Sequence, residues 1–224
     1  MKSKLSKTRT KYIKSVTAPT ANMLKQGRNN KKLGGVIKKA SWKNLPVYSL
    51  TLEERTTCPT SCDQWDTCYG NNMPFAKRYD HTHPDFYMLL DDNLEACAMK
   101  HDAGFAVRLH VLGDFFDTEY VEFWNYTKHH MPQLRIWGYT HQPYDSEIGQ
   151  AIHHLNTNHK EHCRVRFSDS IQTLFSTSVV STIPEQLPRD YIVCPEQTHD
   201  KVKSCSTCTL CWESSDKHIV FLQH

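Results

Sequence analysis

The chain has 224 residues, of which 38% are hydrophobic and 23% charged, enough apolar content for one good core but not for a second full domain. No apolar run approaches the roughly 20 residues that cross a bilayer, so the sequence predicts a soluble protein with no membrane contact. The net charge of +3 hides an asymmetry, because residues 1–43 carry thirteen of the 27 Lys and Arg residues and no acidic residue.

The basic extension over residues 1–43 suggests a polyanionic partner, and nucleic acid is the candidate. The alternative is a solvated, partly disordered tail, and both interpretations stay open because aromatic side chains for base stacking are limited to Tyr12 and Trp42. We therefore expect three parts. These are the partly disordered extension over 1–43, an α/β core over 44–190, and a cysteine-rich segment over 191–224 that packs on the core.

Strand and helix patterns alternate after the extension. The expected strands cover residues 45–52, 106–112, 134–140, 164–167, 174–180 and 191–194. The expected helices begin near Pro84, after the N-cap residue Asp117, and after the N-cap residue Ser146. This alternation predicts a parallel sheet with crossover helices, either open or rolled into a partial (βα) barrel.

Several of these strands have a polar face. Because side chains alternate along a strand, the polar positions are Arg108, His110 and Asp114, then Arg135, Tyr139 and His141, then Arg164 and Arg166. A parallel sheet covered by helices on both sides would have nearly continuous apolar strands. The polar faces therefore favour a cavity for a polar or anionic ligand near the C-terminal strand ends. The alternative is a sheet that is partly exposed.

Seven of the nine cysteines fall into two groups. The first cysteine group, spaced Cys-x3-Cys-x5-Cys in the loop after the first core strand, is Cys58, Cys62 and Cys68. The second cysteine group, spaced Cys-x10-Cys-x2-Cys-x2-Cys, is Cys194, Cys205, Cys208 and Cys211. Three thiolates leave one position of a four-iron cluster or a zinc ion open for an outside ligand, whereas four thiolates close the shell.

Metal binding explains these cysteines better than disulfides do. Their number is odd, the chain opens without an apolar signal region, and the Cys-x2-Cys-x2-Cys run is too tight for sensible bridging, so a cytosolic, reducing setting is expected. The tight run with a distant fourth cysteine resembles iron–sulfur spacing more than a zinc finger. Zinc stays the alternative metal because fourteen histidines are also available.

The motifs TCPTSCDQWDTCYG, RLHVLGDFFDTEYVEFW, RIWGYTH and CSTCTLCW together resemble the gene product 88 family of bacteriophage proteins. The resemblance runs from about residue 45 to residue 212 and implies a phage protein in the cytoplasm of the host cell. The order of the motifs also resembles the radical S-adenosylmethionine (SAM) enzymes. The second cysteine gap differs from the usual Cys-x3-Cys-x2-Cys, and Gly113 with Asp114 stands where those enzymes have two glycines and Glu.

The radical SAM resemblance implies an enzyme with a partial barrel, in which the first cysteine group holds a 4Fe-4S cluster and an outside reductant supplies the electron for SAM cleavage. It further implies that the second cysteine group holds an auxiliary 4Fe-4S cluster. The candidate cofactor-binding residues are Gly113, Asp114, Arg164 and Arg166, and the candidate catalytic residues are Arg108, His110 and Tyr139.

Two other functions stay open. One is a non-enzymatic phage protein stapled by zinc or by an iron–sulfur cluster, in which His81 or His83 supplies a fourth ligand to the first cysteine group. Its basic extension would bind nucleic acid or a host partner. The other is an electron carrier that uses both clusters without SAM.

Overall fold

A computed structural model of the chain describes residues 9–168, 176–183, 185–213 and 217–223. The strands are β1 (Val16–Thr17), β2 (Lys25–Gln26), β3 (Val47–Ser49), β4 (Arg78–Tyr79), β5 (Phe105–Leu109), β6 (Leu134–Thr140), β7 (Cys163–Ser168), β8 (Ser176–Val180), β9 (Tyr191–Val193) and β10 (His218–Leu222). The α-helices are α1 (Phe86–Lys100), α2 (Thr118–His130), α3 (Glu147–Asn158), α4 (Pro195–Thr198), α5 (Cys205–Cys208) and α6 (Leu210–Glu213). None of the described helices is long and apolar enough to cross a membrane.

Eight of the strands form one sheet in the order β2-β3-β5-β6-β7-β8-β10-β9, and β1 pairs separately with β4. Every pair in the large sheet is parallel except β2 with β3. The helices α1, α2 and α3 connect β4 to β5, β5 to β6 and β6 to β7. The predicted α/β fold with a mainly parallel sheet is therefore confirmed, while its closure into a partial barrel stays a prediction.

The two predicted helix caps are confirmed. The Asp117 carboxylate accepts a hydrogen bond of 2.7 Å from the Tyr120 backbone N–H, and the Ser146 hydroxyl accepts one of 3.0 Å from the Gly149 N–H. Each bond satisfies one of the N–H groups that have no partner in the first turn of a helix.

Replacing Asp117 by Ala should lower the free energy of unfolding by about 1 kcal/mol, because the first turn of α2 loses its cap. Urea unfolding followed by circular dichroism measures this change. Asp102→Ala is the matched control, since Asp102 is exposed and makes no hydrogen bond in the described part of the chain. Equal unfolding midpoints for the two variants would show that the cap contributes nothing.

The helices α1, α2 and α3 cover one face of the sheet, which we call the helix face. The core on this side includes Leu90, Leu94, Val107, Trp124, Ile136, Leu155 and Val165. The two cysteines outside the groups, Cys97 and Cys163, belong to the same core. Burial raises the pKa of the Cys163 thiol to about 12, so this thiol is neutral and serves packing.

The opposite face of the sheet, which we call the cover face, is covered by segments from both ends of the chain. Leu33, Ile37 and Trp42 from the extension pack there together with Trp212 from the C-terminal segment. The Trp42 and Trp212 rings stack with centroids 5.3 Å apart and planes 4° from parallel. The described part of the extension therefore forms part of the core, and the three-part division of the chain stays a prediction.

The predicted alternation on the second core strand is wrong after Leu109, because β5 ends there and a period of two applies only within a strand. Arg108 lies on the cover face, as expected. His110 instead lies on the helix face, where its Nε2 is 2.8 Å from the Tyr120 hydroxyl of α2. Val111 packs against the cover face.

Candidate metal centre

The loop with the first cysteine group follows β3 and is held at its base by a buried ion pair. Arg78 donates to both carboxylate oxygens of Glu54 at 2.6 and 2.8 Å, and these side chains are 0% and 2% exposed. The same guanidinium donates to the Gly70 backbone oxygen at 3.1 Å. One side chain therefore joins the residues that precede the loop to the residues that end it.

The turn that follows β5 packs directly on this loop at Gly113. The φ of Gly113 is +85°, and a Cβ atom there would lie 2.7 Å from both Leu52 Cβ and Thr57 Oγ1, so only glycine fits. The next backbone N–H, of Asp114, donates to Thr57 Oγ1 at 3.1 Å. Gly113 and Asp114 therefore lie beside the start of the first cysteine loop.

The Asp114 carboxylate is buried between the ends of β5 and β6. One oxygen accepts from the Phe115 N–H and the other from the His141 N–H, each at 2.7 Å. Burial raises the pKa of Asp114 to about 6, against the lowering effect of these donors. This carboxyl group is therefore held in a fixed orientation by two backbone donors.

The three thiols of the first cysteine group act on one another electrostatically. Burial, the charge of Asp114, and the neighbours Cys62 and Cys68 raise the pKa of Cys58 well above its usual value. Burial, Glu54 and Cys62 raise the pKa of Cys68. A cation bound among these three thiols would favour their thiolate forms, because metal ligation replaces the thiol proton.

The other three thiols of the second cysteine group all interact electrostatically with Cys211. Burial and then Cys211 raise the pKa of Cys194 to about 11, and the same two causes raise the pKa of Cys205. Cys211 also contributes to the raised pKa of Cys208. Cys194, which ten residues separate from Cys205 in the sequence, is therefore close enough to Cys205 and Cys211 to interact with them electrostatically.

Backbone N–H groups point at sulfur atoms in both groups and favour the thiolate form. The donors are Arg55 to Cys58, Gly70 to Cys68, Glu196 and Gln197 to Cys194, and Leu210 to Cys208. Hydrogen bonds to cysteine sulfur are among the features that set the reduction potential of an iron–sulfur cluster.

The basic extension holds the second cysteine group in place. The Cys205 N–H donates to the Lys32 backbone oxygen at 2.7 Å, and the Lys38 N–H donates to the Ser206 backbone oxygen at 2.9 Å. Gly34, with a φ of +78°, lies so close to Ser206 that a Cβ atom there would collide with its hydroxyl. The segment over residues 32–38 is therefore a support for the metal-ligand candidates.

Arg108 lies between the two cysteine groups. Its guanidinium stacks on the Tyr139 ring, 4.4 Å from the centroid, and the Tyr139 hydroxyl donates to Cys211 Sγ at 2.7 Å. On the other side, the Tyr69 hydroxyl donates to a backbone oxygen just beyond β5. The charge of Arg108 opposes the effect of burial on the pKa of both Tyr69 and Cys205. We call these three side chains, Tyr69, Arg108 and Tyr139, the Arg108 layer.

The sequence model of the family described as gene product 88 matches residues 20–214. The chain belongs to the gene product 88 family. This match confirms the bacteriophage family that the motifs predict, and it begins inside the basic extension rather than at residue 45. No curated protein and no solved structure matches the chain.

The remaining candidate residues of this gene product 88 protein, Arg164, Arg166 and His110, each have different contacts. Arg166 is buried and donates to the Cys211 backbone oxygen at 2.8 Å, so it holds the second cysteine group. Arg164 donates to a backbone oxygen of the loop before β7 at 3.0 Å. His110 lies on the helix face beside Tyr120, and burial lowers its pKa to about 3.

The two histidines considered as a fourth ligand have other neighbours. The His81 ring lies 4.5 Å from the Phe116 ring, and His83 Nδ1 lies 3.9 Å from an Asp85 carboxylate oxygen. Within residues 9–168, 176–183, 185–213 and 217–223, no three or more His, Cys, Asp or Glu side chains are arranged so that they could hold a metal ion. The donor set of the gene product 88 protein still suits soft metals, because thiolates are the ligands of zinc and of iron–sulfur clusters.

The sequence patterns did not identify two residues of this site, Glu54 and Arg78. They are separated by 24 positions and share no local pattern. The available signal was the pair of adjacent carboxylates, Glu53 and Glu54, between an apolar strand and a cysteine loop. Both are 2% exposed, and such carboxylates require a buried partner.

Proposed function

We propose that this gene product 88 protein is an iron–sulfur protein of the radical SAM type. Its first cysteine group would hold a 4Fe-4S cluster with one open iron for SAM, and its second cysteine group would hold an auxiliary 4Fe-4S cluster. The observation that carries the proposal is the meeting of the three-cysteine loop after β3 with the Gly113–Asp114 turn after β5. In parallel sheets, ligands bind where the C-terminal ends of neighbouring strands meet.

The chemistry of the donor set also supports a cluster at each group. Each group combines several thiols with backbone N–H donors directed at sulfur. The Arg108 layer adds a fixed positive charge between the groups. Burial, hydrogen bonds to sulfur and net charge are the means by which a protein stabilises and tunes such clusters.

When bound, the cluster and SAM would supply reductive cleavage and a radical that abstracts a hydrogen atom from the substrate, with the electron taken from an outside reductant. The chain itself provides orientation. Asp114 presents a carboxylate that two backbone N–H groups hold beside the first cysteine group. Tyr139 and Arg166 attach the second cysteine group to the sheet through Cys211.

Protein purified without oxygen should contain iron and acid-labile sulfide close to two 4Fe-4S clusters per chain, because each cysteine group would hold one. Iron, zinc and sulfide are measured on the same sample. Titration with SAM should then change the electron paramagnetic resonance spectrum of the reduced protein, since SAM binds the open iron.

Zinc as the main metal, with no sulfide in the anaerobic sample, would overturn the proposal. Two clusters whose spectra do not respond to SAM would leave an electron carrier. Both results are distinguishable from a failure to fold, because circular dichroism reports the helices independently.

The second candidate is a non-enzymatic protein in which metal serves only to staple the fold. The specific observation that favours it is the packing of Cys205 and Cys211 against the apolar cluster that contains Trp42 and Trp212. The stack of these two rings joins the extension to the C-terminal segment. For this candidate, removing the metal with a chelator should unfold the chain, because metal binding is then part of the folding free energy. Its partner would be nucleic acid or a host protein.

A further inference from the structure

The extension and the segment after the first cysteine loop together form a cavity of about 720 Å³. Its lining residues are Lys11, Tyr12, Ile13, Lys14, Ser15, Thr17, Pro74, Phe75 and Lys77. None of them is a metal-ligand candidate, so this cavity is separate from the proposed cluster sites. We call it the lysine cavity.

The lysine cavity is positively charged and has no acidic residue in its lining. Its three lysines, Lys11, Lys14 and Lys77, are exposed, and none of them pairs with a carboxylate in the described part of the chain. The nearby Arg9, by contrast, donates to Glu53 at 2.9 Å. Three lysines that converge without a counter-charge favour a ligand with several negative charges.

The cavity also has an exposed aromatic and apolar surface. Phe75 is 96% exposed and Ile13 is 59% exposed. The Tyr12 hydroxyl donates to the Asn71 backbone oxygen at 2.6 Å, which fixes this ring in the wall of the cavity. An exposed aromatic ring beside unpaired lysines is the combination that single-stranded nucleic acids require, because bases stack on rings while phosphates contact cations.

We propose that the lysine cavity binds single-stranded nucleic acid, with a base stacked on Phe75 and phosphates against Lys11, Lys14 and Lys77. A duplex is a poorer fit because its base faces are already stacked on one another. The proposal does not depend on the clusters, since none of its residues belongs to either cysteine group.

The test is fluorescence anisotropy of the full chain with labelled oligothymidine and oligouridine of about 15 nucleotides, the upper range of a single binding site. Phe75→Ala should weaken binding at least about fivefold, because it removes one stacking platform. The triple variant K11Q/K14Q/K77Q should weaken binding about tenfold or more and reduce the slope of log affinity against log salt by about 2. Equal affinity for the two oligonucleotides indicates recognition of features that DNA and RNA share.

The control variants make the same changes in charge and side-chain size at exposed positions outside the cavity. The triple variant K31Q/K43Q/K100Q removes three exposed lysines outside the cavity, and Tyr126→Ala removes a ring that is 65% exposed on α2. Both should bind as the unchanged protein does. Equal losses in the cavity and control variants would overturn the site, as would binding to anionic phospholipid vesicles without binding to oligonucleotides. Iron content measured on every variant separates this result from the fate of the clusters.

Discussion

The double variant C58A/C62A should lose about half of the iron and acid-labile sulfide of the anaerobically purified protein, because under the proposed function one of two 4Fe-4S clusters would lose two of its three ligands. C208A/C211A should lose the other half. Metal analysis and electron paramagnetic resonance spectra of the two variants would then be complementary, and only the spectrum of C208A/C211A should still respond to SAM. This assignment follows from the three-thiol and four-thiol shells of the two groups.

The matched controls are Cys97→Ala and Cys163→Ala. Both cysteines lie in the core of the helix face, apart from either group, so their loss should leave iron and sulfide unchanged. Iron that is unchanged in C58A/C62A would mean that the first cysteine group binds no cluster. Loss of all iron in either double variant, with the circular dichroism of α1, α2 and α3 retained, would mean that one cluster is built by both groups.

The Arg108 layer lies on the cover face of the sheet and has contacts with both cysteine groups or the residues next to them. Tyr139 is tied to Cys211, Tyr69 follows Cys68 in the chain, and Arg108 lies between them on β5. The charge of Arg108 lowers the pKa of Cys205 in the second group and the pKa of Tyr69, the residue that follows Cys68, although burial leaves both pKa values raised. Arg108 therefore acts on the second cysteine group directly and reaches the end of the first cysteine loop through Tyr69.

The parts of the fold that depend on local pattern could be predicted from the sequence. The strand over residues 134–140 was predicted to the residue, because its apolar and polar positions alternate between clear turn signals. The caps at Asp117 and Ser146 followed from side-chain chemistry at the start of an amphipathic run. Arg108 and Tyr139 were each predicted to lie on the polar face of its own strand, because alternation within a strand needs no knowledge of the neighbouring strands.

The parts that depend on long-range packing could not be predicted. The thirteen basic residues of the extension are typical of a solvated segment. Leu33, Ile37 and Trp42 are nevertheless buried, because they pack against a segment about 170 positions later in the chain. The strand β10 was also missed, although residues 219–222 form an apolar run, and it inserts between β8 and β9. Which strand pairs with which is decided by contacts across the whole chain, and periodicity carries no information on them.

The buried ion pair of Glu54 and Arg78 should be the most destabilising site to break outside the apolar core. Arg78→Met should lower the free energy of unfolding by about 3–5 kcal/mol, because it leaves a carboxylate buried without its cation. The loss includes the bonds from Arg78 to the Gly70, Met73 and Ala76 backbone oxygens, at 3.1, 3.1 and 2.8 Å. Urea unfolding followed by circular dichroism measures the change.

Arg9 and Glu53 provide the matched control, since they form the same kind of pair one position away from Glu54 in the chain. The Arg9 side chain is 53% exposed, whereas that of Arg78 is 0% exposed, so Arg9→Met should cost less stability than Arg78→Met. Arg78→Lys keeps the charge but loses the bidentate geometry, and its stability should fall between those of the unchanged protein and Arg78→Met. It also keeps the test informative if Arg78→Met does not fold.

The double variant E54L/R78M separates the ion pair from the loop that it anchors. Removing both charges should recover part of the stability lost in Arg78→Met, because no carboxylate is then left buried alone. It should not restore the bonds from position 78 to the backbone at the end of the cysteine loop. Iron bound by the first cysteine group should therefore stay low in E54L/R78M even where stability returns, whereas iron at the second group should be unchanged. Full recovery of both stability and iron would mean that the pair serves folding alone and does not position the loop.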